Sequence, residues 1–278
     1  MIRDMTKGKL FPVIIRFCLP VLLGSLFQQF YNLTDAAIIG RFVGMDEMGA
    51  VLSTGPLHFL VIGFVLGLTT GFSIPIAQSF GLGDVSEMRR RVVNAFYLCG
   101  IFAVGLTVLT VLTVRKLLIV MQTPAETLND AYNYIFILYS GIIVIMAYNM
   151  LAALMRALGN SKTPLMFLII SGVLNILFDL LFIIGLVWET AGAGIATVLS
   201  QFIAVILCVI FVKRNFHILA SSKEEKKFCK ERCTKLLNNG VPMALQFSIT
   251  AIGSMILQSA VNVLGPIVVS AVGMAARV

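Results

Sequence analysis

The sequence runs to 278 residues, of which 59% are hydrophobic and only 12% charged, and its mean hydropathy is +0.97. A water-soluble domain of this length does not need that much apolar surface to fill a core, so an ordinary globular enzyme is excluded and an all-α polytopic membrane protein is expected. The formal net charge of +8 reflects membrane topology, as the placement of the basic residues indicates, and no nucleic-acid partner is expected.

Apolar runs long enough for the roughly 20 residues of a spanning helix recur along the chain. A short basic stretch, Met1 to Phe11, comes first; no small-residue cleavage site follows it, so no cleavable signal peptide is expected. The run 17 to 40 is broken only by Asp35 and contains Pro20, which frees a carbonyl and marks a hinge at which the first helix can bend. The run 48 to 80 carries Gly63, Gly67 and Gly71 at a spacing of four, followed by Pro75. Glycines on one helix face let another backbone approach closely, and packing against a neighbouring helix is the preferred reading over a subunit contact.

Further runs cover 92 to 114, 131 to 155, 163 to 188 (interrupted only by Asp179) and 190 to 212. The last, 236 to 276, is too long for one span, and Gly265-Pro266 divides it into a seventh helix and the start of an eighth. Cys18, Cys99 and Cys208 read as apolar fillers within or beside spans. Cys229 and Cys233, with only His217 near them in sequence, fall short of the four ligands of a structural zinc site.

Orientation follows from the basic residues. With the amino terminus in the cytoplasm, all but Arg41, Arg115, Lys116 and Arg277 of the 21 Lys and Arg fall on the inside, eight of them between Lys213 and Lys235. A faint internal repeat aligns Leu19-Pro20, Gly44 and Ala50-Val51 with Val241-Pro242, Gly265 and Ala271-Val272. Repeated bundles are the usual plan of secondary transporters. The chain therefore divides into a first six-helix transmembrane lobe (1–215), a basic cytoplasmic interlobe loop (216–235) and the start of a second lobe (236–278). On this reading it is an amino-terminal piece of a longer parent.

The two intramembrane acids carry the functional signal. A carboxylate at membrane depth costs roughly 3 kcal/mol or more, so it ordinarily faces a wet cavity and handles ions or protons. Asn175 and Asp179, four apart, share one helix face.

The residues also resemble a known family. Leu19-Pro20, Gln28-Gln29-Phe30-Tyr31-Asn32-Leu33-Thr34-Asp35 and Ile39-Gly40-Arg41-Phe42-Val43-Gly44 are similar to the first helix and outer loop of the multidrug and toxic compound extrusion (MATE) transporters. Gln78 to Asp84 with Arg89 to Arg91, then Met155-Arg156-Ala157-Leu158-Gly159-Asn160, then Asn175 through Asp179 and Gly192-Ala193-Gly194-Ile195-Ala196-Thr197 follow in the family's order. The resemblance implies twelve helices in two lobes around a central cleft, and a cation-coupled antiporter exporting amphipathic organic cations across the cytoplasmic membrane. It also implies a monomeric parent with no cofactor beyond H⁺ or Na⁺ as coupling ion.

Carried over residue by residue, the resemblance implies a cation-coupling site of Asp35, Asn175, Asp179 and Thr197, with Tyr134 beside it. Gln28, Tyr31 and Tyr139 are expected on the substrate cavity wall. Some members carry a glutamate inside helix seven, where this sequence has Thr250, so the first-lobe site is the favoured one. Two other functions compete. A flippase for lipid-linked precursors would be expected to show a more basic cavity. A membrane-embedded transferase needs an Asp-rich motif or a His cluster, and neither occurs.

Overall fold

Helix boundaries follow the punctuation of the sequence closely. In the computed structural model, residues 10–220, 222 and 224–275 are described; the basic residues Arg3, Lys7, Lys9, Lys223 and Arg277 lie outside them. The described residues form α1 (Leu10–Phe42), α2 (Met45–Ser53), α3 (Gly55–Gly81), α4 (Val85–Val120), α5 (Leu128–Ser140), α6 (Ile142–Ala157), α7 (Lys162–Asp179), α8 (Glu189–Asn215), α9 (Lys230–Asn262) and α10 (Pro266–Ala275). Six segments are long and apolar enough to cross a membrane, α2 and α3 counting as one; the bent pair α5–α6 makes a seventh. The chain is an all-α, multi-pass membrane protein.

Local chemistry sets the ends. Gly83, at φ 77, makes the left-handed turn after α3, and Asp84 then caps α4 by accepting from the Glu87 amide at 2.9 Å. Gly159, at φ 81, ends α6 in the same way. Asn160 then accepts from the Thr163 amide at 3.1 Å and donates to the Thr163 hydroxyl at 2.9 Å, starting α7. The Gly159-Asn160 pair of the sequence motif is thus a helix stop followed by a helix start.

Three elements depart from expectation. The run 131 to 155 is not one straight helix: α5 and α6 meet at Gly141 with a bend of 51°. A Cβ at Gly141 would lie 2.5 Å from the Val198 side chain of α8, so glycine allows α8 to press into the bend. Beyond Asp179 the α7 helix widens into a π-helical turn, Leu180–Gly185. The helix after the basic loop begins at Lys230, six residues inside the segment expected to be loop, because Cys229 takes the cap position and Lys230 to Lys235 form charged first turns that water can solvate.

The glycine stripe of α3 is a seam with α9. A Cβ on Gly67 would sit 2.6 Å from the Met243 carbonyl, and one on Gly71 would sit 2.5 Å from the Gly240 Cα. Gly63 lies opposite Phe247. The predicted helix neighbour therefore belongs to this chain. The α10 helix packs on α2: the Ser270 hydroxyl donates to the Met45 carbonyl at 3.0 Å.

Candidate functional site

Four helices converge on Asp179. On α7, Ser171, Gly172, Asn175 and Asp179 are all buried, the i, i+4 stripe that faces the bundle. On α8 the facing stripe is made of small residues, Gly192, Ala193, Gly194, Ala196, Thr197 and Ser200. Small side chains let neighbours come close: a Cβ on Gly194 would lie 3.1 Å from the Tyr134 carbonyl of α5, and one on Gly192 would lie 3.2 Å from Phe182 in the π-helical turn. The α1 helix closes the fourth side, with Phe27 against Gly172 and with Asp35, Ala36, Ile38 and Ile39 turned inward.

The polar atoms inside this cage gather around Asp179. Asp179 is fully buried and Asp35 is 6% exposed, and their carboxyl groups lie close enough to interact. In the amide orientation that gives the carboxylate a donor, Asn175 donates to Asp179 Oδ2 at 3.1 Å. Its oxygen then accepts from the Thr197 hydroxyl at 3.2 Å. The Thr197 hydroxyl also lies 3.0 Å from the Ala193 carbonyl, one turn back on α8. The result is a pocket of hard oxygens, two carboxyls with an amide and a hydroxyl, drawn from α1, α7 and α8. Such donors suit a proton or a hard monovalent cation. Among the described residues no group of three or more His, Cys, Asp or Glu side chains gathers as a transition-metal site would require.

Asp35, Asn175, Asp179 and Thr197 are therefore brought together. Tyr134 is buried on the α5 face that meets α8. Gln28 is exposed and Tyr31 half-buried on α1, on the turns leading toward Asp35. Tyr139 is not on a cavity wall: it is fully buried and its hydroxyl donates to the Leu57 carbonyl at 2.9 Å, tying α5 to α3. An aromatic-rich composition does not say where a ring points. Pro20 is buried, and α1 runs through it as one helix.

Sequence reasoning missed a second polar region, at the end of the bundle where α4 and α9 begin. Glu87 is clamped between Arg91 (3.1 Å) and Arg232 (2.9 Å), joining α4 to α9. Asn94 accepts from the Cys229 amide at 2.8 Å and from the Cys233 thiol at 3.4 Å. Cys229 thus marks the start of α9 through its backbone, and Cys233 serves as a buried donor. Basic residues there were legible as topology, but nothing in their spacing announces contacts to a loop far along the chain.

The sequence pattern that defines the MatE family matches residues 20–181. A curated protein of Bacillus subtilis (strain 168), "Probable multidrug resistance protein YpnP", is 31% identical over 99% of this chain and 61% of its own length. "Multidrug export protein MepA" of Staphylococcus aureus (strain NCTC 8325 / PS 47) is 23% identical over 86% of this chain and 53% of its own. Two solved structures share the fold at 24% identity. One is titled an inward-facing conformation of a multidrug resistance MATE family transporter of the MOP superfamily (TM-score 0.82, 95% of this chain, 60% of that one). The other is a MOP superfamily transporter from Pyrococcus furiosus whose title reports a binding pocket of reverse polarity (TM-score 0.85, 99% of this chain, 64% of that one). The chain thus spans between half and two thirds of the length of these relatives.

Proposed function

The chain belongs to the MATE family of membrane transporters, and from that premise we propose that the full-length protein is a cation-coupled antiporter expelling amphipathic organic cations. The observation that carries the reading is the buried contact between Asp35 and Asp179. An ionised carboxylate only accepts hydrogen bonds, so a bond between two carboxyl groups requires a proton on one of them. Removing that proton leaves two like charges side by side unless a cation takes its place among the same oxygens. A neutral pocket can dry and close, whereas a charged one must hold water or a cation. Two occupancy states that favour different helix arrangements are the basis of coupling.

The moving part in this reading is α1. Asp35 stands fifteen residues after Pro20, roughly 22 Å along an ideal helix, so occupancy at one point can set the bend at the other. H⁺ and Na⁺ both fit the donor set. The printed names of the relatives, which speak of multidrug resistance and export, support the choice of cargo. Exposed aromatics on α1 such as Phe30, with half-buried Tyr31, would suit flat cations through cation-π contact. The distribution of basic residues supports an amino terminus on the cytoplasmic side, and the reading takes the full-length protein as a monomer in the cytoplasmic membrane.

The test is export by the full-length protein in proteoliposomes, with H⁺ and Na⁺ gradients imposed separately. The effective gradient identifies the coupling ion. Asp35→Asn and Asp179→Asn should each abolish gradient-driven export while membrane insertion is kept; unchanged export in either would remove that residue from the coupling role.

A further inference from the structure

The segment between α8 and α9 folds back as a strap over the start of α4. Arg89 donates to the Ile218 carbonyl at 2.6 Å, and Ser86 donates to Glu225 at 3.1 Å. The Ser222 amide donates to the other Glu225 oxygen at 2.8 Å. The fold leaves an open-sided cavity of about 360 Å³ lined by Arg90, Glu224, Lys227, Cys229 and Arg232. Its charge is unbalanced. Arg232 is taken up by Glu87, but Arg90 Nε is buried with no hydrogen-bond partner among the described residues, and Lys227 makes no ion pair among them. Glu224 is the one acid in the lining.

We propose that this cavity binds the phosphate of an anionic phospholipid headgroup, with Arg90 and Lys227 as its ligands. Burial leaves the Nε of half-buried Arg90 in need of an acceptor, and a phosphate oxygen is the acceptor that guanidinium geometry favours. The surroundings identify the source as lipid rather than free phosphate. Arg90, Asn94 and Tyr97 follow one face of α4, and two turns of helix put Tyr97 about 10 Å deeper than Arg90. Tyr97 is 46% exposed and Phe228 59% exposed, with ring centroids 6.4 Å apart, and the Tyr97 hydroxyl donates to the Lys226 carbonyl at 3.2 Å. An exposed aromatic pair just below a basic pocket is the arrangement of a membrane interface, where rings sit at headgroup level and cations meet phosphate. The bound lipid would bridge α4 of the first bundle and the strap that leads into the second.

Cys229 is a built-in reporter. It caps α9 inside the cavity, and the backbone amide of Arg232, together with that of Glu231 and the Arg232 guanidinium, holds its thiol below the ordinary cysteine range. Cys18 is exposed, while Cys99, Cys208 and Cys233 are buried. The experiment is the rate of Cys229 alkylation by iodoacetamide, a neutral reagent, in a Cys18→Ser background. The chain is placed in nanodiscs of phosphatidylcholine alone or with added phosphatidylglycerol. Phosphatidylglycerol should slow alkylation several-fold, and Arg90→Gln with Lys227→Gln should abolish the slowing. Lys227→Gln alone, at an exposed position that perturbs no packing, should at least halve it. Equal rates in the two lipids overturn the proposal. So does slowing that persists in the double variant, which would place the effect in the surface potential. Millimolar inorganic phosphate that slows alkylation equally in phosphatidylcholine discs would reassign the site to a soluble anion.

Discussion

Helices α1 and α9 each run for 33 residues and each carry a proline about a third of the way along, yet they meet the bundle in different ways. The α1 helix brings a carboxyl, Asp35, to the polar stripes of α7 and α8. Its contact is built around hydrogen-bonding groups whose charge can change. The α9 helix lies backbone-to-backbone on α3 through Gly67, Gly71, Gly240 and Ala244, where nothing titrates. Thr250, where other family members are expected to place an acid, is exposed and its hydroxyl turns back to the Gln246 carbonyl of its own helix at 3.3 Å. In the function proposed above, α1 is the helix that responds to ions and α9 the one that holds still.

The sharpest way to break the contrast is to replace Asp35 and Thr250, each alone, in the full-length protein. Asp35→Asn should reduce gradient-driven export at least tenfold, whereas Thr250→Val should leave it within twofold of wild type; parallel transport assays decide. A large loss in Thr250→Val would mean that α9 takes part in coupling after all.

The seam is tested by adding single methyl groups. Gly67→Ala must push Met243 or Ala244 aside and should cost about 1–3 kcal/mol by overpacking. Gly100→Ala, at a position where a Cβ meets nothing within 4 Å, should not destabilise the protein and gains helix propensity. Thermal unfolding in detergent should separate the two, and equal midpoints would show that the seam yields.

Smaller effects follow from single hydrogen bonds. Tyr139→Phe leaves the Leu57 carbonyl without that donor and should cost about 1 kcal/mol, which shows how much of the anchorage of α3 comes from α5 rather than α9. Thr250→Val, which removes a bond confined to one exposed turn, should change stability by about 0.5 kcal/mol or less. If its cost matched that of Tyr139→Phe, the exposed face of α9 would have to be covered by something that binds it.

The spans were legible because each is an apolar run bounded by charge or by Gly and Pro, and the division at Gly265-Pro266 falls where α9 gives way to α10. The bend at Gly141 was not, since the side chain packed into it, Val198 of α8, lies more than fifty residues away. Nor was the π-helical turn after Asp179, because hydropathy does not record helical phase. At the site, the four-residue spacing places Asn175 and Asp179 on one face without further help. The meeting of Asp35 with Asp179 is long-range, and only the family resemblance carried it. Tyr139 was misplaced for the reason that burial, not residue type, decides whether an aromatic lines a cavity. The strap over α4 was invisible because Asn94, Ser86 and Arg89 bond to backbone or to single side chains that no periodicity links to them.

The seam between α3 and α9 also bears on the order in which the protein is made. The ribosome delivers α3 to the bilayer first and must then thread α4 through α8 before its partner emerges. During that interval the glycine groove of α3 lies open to lipid, with exposed backbone and few side-chain atoms to shield it. A glycine face that can accept one partner can accept another, so the nascent first bundle is at its most vulnerable to wrong helix pairing until α9 inserts. Arrival of α9 is then the step that commits the chain, and defects at Gly67 or Gly71 should surface as failed biogenesis and degradation before they surface as lost transport.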